Sequence, residues 1–441
     1  MHIATHRGKH GQGAMRQGVA SMDVCNEKPR ILVIGAGIVG LCLAWHLARA
    51  GARVTVLDGE APGSGASSGN AGAISAGSVA PLAMPGVLKQ VPKMLLDPDG
   101  ALHVPARYWP RAAPWLLRFV ASARPARVAA IAQALSGLLF GAMERHREIL
   151  AEEGALDLIR ETGQLYLYRD RAQYAKDADG WALRQRHGMR LEFLEGAEAI
   201  RALEPDMRGD YQLGLFIPDQ GSCVNPLRLA QVVARGVERL GGTIRRETVQ
   251  AITTEGGRVT GVATASGAIE ADQVVLAAGA WSAQLLRPLG IRVPLETQRG
   301  YHVMLPDAGI SLQRPVVPAD RKAFITPMEG GLRIAGTVEF GGLEAPPTPR
   351  RAELLLDDLR SAFPQARTEG AQGFWMGHRP CLPDSLPVLG PVRRWPGLWC
   401  AFGHGHLGLT GSAPTGAVLA RARLGRKPNL DLTPFAVERF A

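Results

Sequence analysis

Apolar positions along this chain follow two rhythms. Unbroken apolar runs occur at Arg30-Ile-Leu-Val-Ile34 and Gln273-Val-Val-Leu276, each leading into a glycine turn. Such a run reads as a strand buried on both faces, as in a parallel sheet covered by helices. Residues 38–50 read as the helix after the first run, stopped by Gly51, and residues 53–57 as the next strand. Further strands are expected at 243–249 and 257–264. Elsewhere apolar and polar residues alternate. Residues 163–168 alternate around Leu165 and Leu167, and strands are also expected at 213–218, 300–305, 323–328 and 332–337. Alternation of this kind suggests a mixed sheet roofing a cavity. Residues 85–150 carry helical signals, with an amphipathic stretch at 128–152, and helices are expected at 198–203, 350–363 and 412–424. Asn225-Pro226 starts another helix cleanly, with Asn as N-cap and Pro in the first turn, and that helix should run to Leu240 before Gly241-Gly242.

The first strand, turn and helix carry specific chemistry. In Gly35-Ala-Gly-Ile-Val-Gly40, Gly35 makes the tight turn, Gly37 lets backbone approach a pyrophosphate, and Gly40 lets the helix pack on the sheet. Ile38 and Val39 open the helix, whose unpaired amides and dipole favour an anion. Asp58 closes the next strand and can accept hydrogen bonds from both hydroxyls of a ribose. A glycine triplet alone is weak evidence. One flanked by strand, helix, second strand and acid points to a dinucleotide, NAD or FAD.

The run Gly63-Ser-Gly-Ala-Ser-Ser-Gly-Asn-Ala-Gly-Ala73 tips the balance to FAD. Such residues build neither strand nor helix, and they let backbone follow an extended ligand. Ser67, Ser68 and Asn70 offer short polar groups, with Ala71 and Gly72 beside them as candidate contacts. A flexible surface loop is the competing use. The chain then leaves this lobe and returns far downstream, where Val249, Ala278 and Gly279 are candidate contacts. A second strand, glycine turn and helix follows at Gly403-His-Gly-His-Leu-Gly408 and Thr410. Its helix N-terminus suits the pyrimidine end of a flavin, where reduction places negative charge. Gly403, His404, Gly405, His406, Leu407, Gly408 and Thr410 therefore join the cofactor set. His404 and His406 have no Cys, Asp or Glu close in sequence and make a poor metal site, so no metal is expected.

At 441 residues and 46% hydrophobic content, the chain has material for two interleaved lobes. Its five cysteines show neither disulfide nor zinc spacing, as in reduced cytoplasmic thiols. No apolar run approaches the length of a membrane span. Residues 1–28 are polar, lack the apolar core of a secretory signal, and are expected to form a disordered extension. The net charge of +10 is mostly scattered arginine and brings no nucleic-acid motif. One cluster stands out: Arg107, Arg111, Arg118, Arg124 and Arg127 with Trp109, Trp115 and Phe119. It either lies on an anionic membrane or packs its aromatics inward in the substrate lobe.

Five motifs together resemble the glycine oxidase and D-amino-acid oxidase superfamily of FAD enzymes, and within it the bacterial D-amino-acid dehydrogenases of small-subunit type. They are the Gly35–Gly40 turn, Ser68-Gly-Asn-Ala-Gly72, Arg299-Gly-Tyr-His302, Met376-Gly-His-Arg-Pro380 with Pro383-Asp384, and Gly403-His-Gly-His-Leu-Gly408. The resemblance implies an α/β fold in which a Rossmann-like FAD-binding lobe (29–84, 222–290 and 372–430) is interleaved with a substrate lobe (85–221 and 291–371). The substrate lobe would be a mixed antiparallel sheet plus helices. It also implies non-covalent FAD and oxidative deamination of a small D-amino acid to a 2-oxo acid and ammonia. Electrons would pass to a quinone or respiratory acceptor, which would give the arginine cluster a use as a peripheral contact on the inner face of the cell membrane.

Arg379 resembles the arginine that clamps the substrate α-carboxylate, a task suited to a planar guanidinium. An ion pair with Asp384 is the competing use. Arg299 and Tyr301, on a roof strand, are candidates for a second contact with the carboxylate or amine. His302 and His378 are titratable neighbours without an assigned role, and Phe324 stands where relatives often carry tyrosine. The chemistry calls for no side-chain nucleophile. An enzyme acting on a secondary amino acid (D-proline, hydroxyproline, sarcosine or glycine type) shares these motifs and stays open. An NAD-dependent dehydrogenase or a nucleic-acid module would need features the motifs do not supply.

Overall fold

The computed structural model describes residues 28–85, 99–100 and 102–441. The extension expected at 1–28 lies outside these residues except for Lys28. Six strands form the first sheet, in the order β10 (Thr243–Arg246), β2 (Arg53–Asp58), β1 (Arg30–Ile34), β14 (Gln273–Leu276), β21 (Leu398–Phe402) and β20 (Val388–Pro391). All pairs are parallel except β20 with β21. The apolar run in β1 is used on both faces. Ile31 and Val33 pack under the helices Ile38–Arg49, Pro226–Arg239 and Gly408–Arg423. Leu32 and Ile34 pack towards Ile252, Val259 and Val262 of a small antiparallel sheet, β11 (Val249–Glu255), β12 (Arg258–Thr264) and β13 (Gly267–Glu270).

The second large sheet has nine strands. Its order is β19 (Gln372–Cys381), β15 (Glu296–Leu305), β18 (Gly331–Phe340), β17 (Phe324–Met328), β16 (Val316–Pro318), β6 (Gln164–Tyr168), β8 (Leu213–Ile217) and β7 (Glu192–Glu195), with β4 (Leu102–His103) on β18. It is mixed: β16 with β6 and β18 with β4 are parallel, and the other pairs antiparallel. Its outer face is covered by the helix Pro349–Ala362, where Leu355 and Leu359 meet Tyr301, Val303 and Ile334. Three short strands, β3 (Ala73–Ile74), β9 (Gly221–Cys223) and β5 (Ile159–Arg160), stitch the two large sheets together.

Several expectations need correction. The return to the first sheet does not begin at 372. β19 pairs with β15 over Glu296↔Cys381 to Met304↔Gln372, so the chain re-enters the first sheet only at β20. The helix expected at 128–152 is two, Pro125–Leu139 and Ala142–Glu152, because Gly141 sits at φ 69 between them. The stretch Pro125–Glu152 is long and apolar enough to cross a membrane by length and composition, and half of its apolar window is buried in the protein. The strand expected at 243–249 also divides, with β10 ending at Arg246 and β11 beginning at Val249. At Asn225 the side chain caps its helix as expected, accepting from the Arg228 amide at 2.9 Å. In the arginine and aromatic cluster, Trp115 is buried against Phe119 and Phe340, while the five arginines are exposed.

Candidate active site

A cavity of about 950 Å³ runs between the carboxyl ends of β1, β2 and β14 and the inner face of the nine-stranded sheet. That is the upper end of the usual range for ligand sites. At one end, Asp58 folds over the glycine turn. Its Oδ2 accepts from the Ala36 amide at 2.7 Å and its Oδ1 from the Glu60 amide at 3.0 Å. Gly35 adopts φ +111, and a Cβ there would overlap the Ala277 carbonyl, so only glycine serves this turn. Beyond it lies the N-terminus of the helix Ile38–Arg49, which has no acid in its first turn. Ser67 lies against that terminus and accepts from the Ile38 amide at 3.0 Å. Arg333 of β18 donates to the carbonyls of Ser68 at 3.0 Å and Asn70 at 2.6 Å. It pins the glycine-rich loop to the roof, and its burial there brings its pKa down to about 10. At the other end, the helix Gly408–Arg423 also lacks an acid in its first turn. Thr410 Oγ1 accepts from the Ser75 amide at 3.0 Å, and His404 is buried with Nε2 at 2.9 Å from Thr415 Oγ1.

The roof carries the charged end of the cavity. Arg379 of β19 is enclosed by protein but part-open to the cavity. Its guanidinium donates to the Thr337 carbonyl at 2.9 Å and the Gly336 carbonyl at 3.4 Å. Among the described residues no carboxylate bonds to it, and burial lowers its pKa. The competing partner, Asp384, is taken instead by Arg439, whose Nε donates at 2.9 Å. Thr337 holds the left-handed φ of 51 at a bulge in β18. That conformation is costly for a β-branched residue and turns its carbonyl to the guanidinium. Gln298, Phe324, Trp375 and His378 complete the walls nearby.

Residues 30–422 match the family model described as FAD dependent oxidoreductase. The chain is 39% identical over 421 residues to a D-amino-acid oxidase of Bradyrhizobium diazoefficiens, covering 94% of this chain and 99% of that protein. It is 33% identical over 421 residues to a D-amino acid dehydrogenase of the same organism, covering 93% and 99%. Among solved structures, the L-proline dehydrogenase of P. horikoshii superposes with a TM-score of 0.73 at 19% identity, covering 94% of this chain and 98% of that one. The chain belongs to the FAD-dependent oxidoreductase family. The residues present suit FAD. Two helix N-termini free of acids face one continuous cavity, the glycine turn admits no side chain, and an acid stands at the end of β2.

Within this FAD-dependent oxidoreductase, Gly35, Gly37, Ile38, Val39, Asp58, Ser67, Asn70, Ala71, Val249, Ala278 and Gly279 all line the cavity, as do the residues 403–408 and Thr410. Three others do not. Gly40 packs on Gly35 and Ala277, as the sequence led one to expect of its helix-packing role. Ser68 spends its hydroxyl on the Gly65 and Ser64 carbonyls at 2.9 and 3.1 Å. Gly72, at φ +77, gives its carbonyl to the Cys223 amide at 2.6 Å.

Arg299 and Tyr301 also need correction. Along β15, Gln298 faces the cavity, so Arg299 and Tyr301 face away. Arg299 is paired with Glu339 at 3.4 Å and bonds the carbonyls of Gly342, Ala345 and Pro346. The Tyr301 hydroxyl donates to Glu339 and accepts from the Thr348 amide. Both hold the segment 341–348 and touch no part of the cavity. His302 stacks on Trp375 and bonds the Gly69 carbonyl at 3.1 Å, and burial brings its pKa down to about 4. Arg333, Thr337, Gln298 and Trp375 were not foreseen. Strict alternation from Arg299 would have flagged Gln298, but Arg333 and Thr337 act through long-range contacts that leave no local signal.

Proposed function

We propose that this protein oxidises D-amino acids to imino acids, which water hydrolyses to 2-oxo acids and ammonia. FAD, held without a covalent bond, supplies the hydride acceptor. The observation that carries this reading is Arg379, a cation without a carboxylate partner among the described residues, set in the cavity wall beside Phe324 and Trp375. A substrate α-carboxylate meets it bidentately and fixes the α-carbon between the roof and the flavin-facing turn at Gly405–Leu407. The names of the curated relatives support the D configuration. The test is a panel of D- and L-amino acids with an artificial electron acceptor. Reduction with D-amino acids is expected. Reduction only with L-amino acids or secondary amines would replace this reading.

We further propose that electrons pass to a quinone rather than to oxygen. Leu82, Leu116 and Phe119 line the cavity and give it an apolar flank beside the exposed arginine helix. That helix would rest on anionic lipid, with the substrate lobe at 85–221 and 291–371 and the rest of the chain forming the FAD lobe. Binding to anionic vesicles should weaken with salt. The 39% identical relative named as an oxidase favours the second reading, direct reoxidation by oxygen. Stoichiometric peroxide at rates matching dye reduction would establish it.

A further inference from the structure

Three histidines line the cavity near Arg379, and their bonding differs. His378 is tied through Nδ1 to the Thr297 hydroxyl at 2.9 Å, and His404 through Nε2 to Thr415 Oγ1 at 2.9 Å. His406 has no hydrogen bond, ion pair or ring contact among the described residues. Protein surrounds it, yet its ring is exposed to the cavity. It stands on the single turn Gly405–Leu407 that enters the helix Gly408–Arg423. Gly405 has φ +57, and a Cβ there would lie 3.5 Å from Cys381 Sγ. Cys381 ends β19, two residues beyond Arg379, so the turn bearing the imidazole packs on the strand bearing the guanidinium.

Removing hydride from an amino acid's α-carbon needs the nitrogen lone pair. At neutral pH that nitrogen is an ammonium, so one proton has to leave first. Arg379 is already a cation and cannot take it. We propose that His406 is the base that accepts this proton. The ammonium N–H bond breaks, its electron pair stays on nitrogen, and the proton passes to a ring nitrogen of His406. The products are a neutral amine and an imidazolium, which returns the proton to water after the oxidised product leaves. The proposal rests on Arg379 as the carboxylate clamp.

The electrostatics of the site agree. Burial acts most strongly on the ring, followed by the charges of Arg379 on β19 and Arg184 on the helix Ala178–Arg186, and together they bring its pKa down to about 4. The neighbouring His378 and His404 are also held neutral by burial, and among the described residues no carboxylate acts on the ring. His406 is therefore uncharged in the free protein, as an acceptor must be. A substrate carboxylate on Arg379 cancels the larger of the two charges, so the ring gains basicity when the ammonium arrives.

The test is the pH dependence of kcat/KM in the flavin-loaded enzyme with a D-amino acid. Wild type should be level through neutral pH. His406→Asn should lose about 100-fold or more at neutral pH. It should then climb roughly tenfold per pH unit towards the substrate's own ammonium pKa, because only amine that is already neutral reacts. Its flavin spectrum and its binding of a simple aliphatic acid should be retained. D-Trifluoroalanine, with a more acidic ammonium, should narrow the gap between variant and wild type. A level profile in His406→Asn, or a gap that does not narrow, overturns the proposal. If that variant holds no flavin, His406→Gln carries the same measurement. A silent His406→Asn beside a defective Arg379→Ala removes only the base, whereas a silent Arg379→Ala removes the clamp itself.

Discussion

Replacing Arg379 separates binding from folding because of how the guanidinium is held. In the free protein it bonds only two backbone carbonyls, at 2.9 and 3.4 Å, and no acid. Its burial is thus a cost that nothing in the free protein offsets through opposite charge. Arg379→Ala leaves no orphaned carboxylate behind, so the fold should keep its melting temperature or gain slightly. The substrate, by contrast, loses its counter-charge. Truncating one partner of an enclosed, hydrogen-bonded charge pair costs about 2–5 kcal/mol. At roughly 1.4 kcal/mol per tenfold, kcat/KM should fall by about thirty- to several-thousand-fold. Arg379→Lys should recover part of this, since an ammonium restores charge without the planar fork. The assay is steady-state dye reduction with D-amino acids, alongside thermal unfolding followed by circular dichroism. A primary amine lacking the carboxylate should be a poor substrate for both proteins and little changed by the mutation. A kcat/KM within a few-fold of wild type refutes the clamp. A large fall in melting temperature refutes the claim that its burial is uncompensated.

Arg299 should behave in the opposite way: Arg299→Ala leaves Glu339 buried without its cation, costing about 3–5 kcal/mol of stability, while KM stays near wild type. A raised KM at unchanged stability would return Arg299 to the substrate site. Asp58→Ala should weaken FAD retention by about 1.5–3 kcal/mol, the worth of hydrogen bonds to a charged group, as read by titrating apoprotein with FAD. An unchanged dissociation constant would remove Asp58 from the cofactor site. Acid should destabilise the fold before its carboxylates titrate. Burial brings His46, His146, His302 and His404 to a pKa of about 4, from 6.5 when unfolded. Below pH 6.5 the unfolded chain binds protons that the native one refuses, so stability falls as pH drops from 6.5 to about 4 and levels below that. Each group contributes at most about 1.4 kcal/mol per pH unit. Denaturant midpoints that stay constant between pH 6.5 and 4.5 would contradict these buried neutral rings.

The cofactor half was legible because its logic is local. A buried strand, a turn that admits only glycine at Gly35, a helix start and an acid at Asp58 follow one another within a single stretch of chain. The roof was not, because a strand's two faces are equivalent until something covers one of them. Alternation placed Arg299 and Tyr301 together, but not on which side. The outer side is decided by Glu339 and the segment 341–348, which only the tertiary structure brings to β15. A polar residue on a roof strand was therefore read as a substrate contact when it is a buried strut. Arg333 was illegible for the same reason: its partners, Ser68 and Asn70, lie more than half the chain away from it.

The boundary error at 372 has a mechanistic consequence. Because β19 is the edge strand of the roof and not the first strand of the returning FAD lobe, the clamp and the flavin-facing turn belong to different sheets. They are nevertheless joined by a short piece of chain, from Cys381 through Asp384 and Leu386 to β20 and β21. That piece is itself anchored, since Arg439 donates to Asp384 at 2.9 Å and to the Leu386 carbonyl at 2.6 Å. Gly405 closes the loop by packing on Cys381. The separation between guanidinium and turn is thus set by a closed ring of covalent and packed contacts within one span of sequence. Motion of the roof relative to the first sheet would carry the glycine-rich loop with it through Arg333, but it would leave the clamp registered to the turn. A reaction that depends on holding one α-hydrogen at a fixed distance from a cofactor atom needs that registration more than it needs a rigid lobe interface.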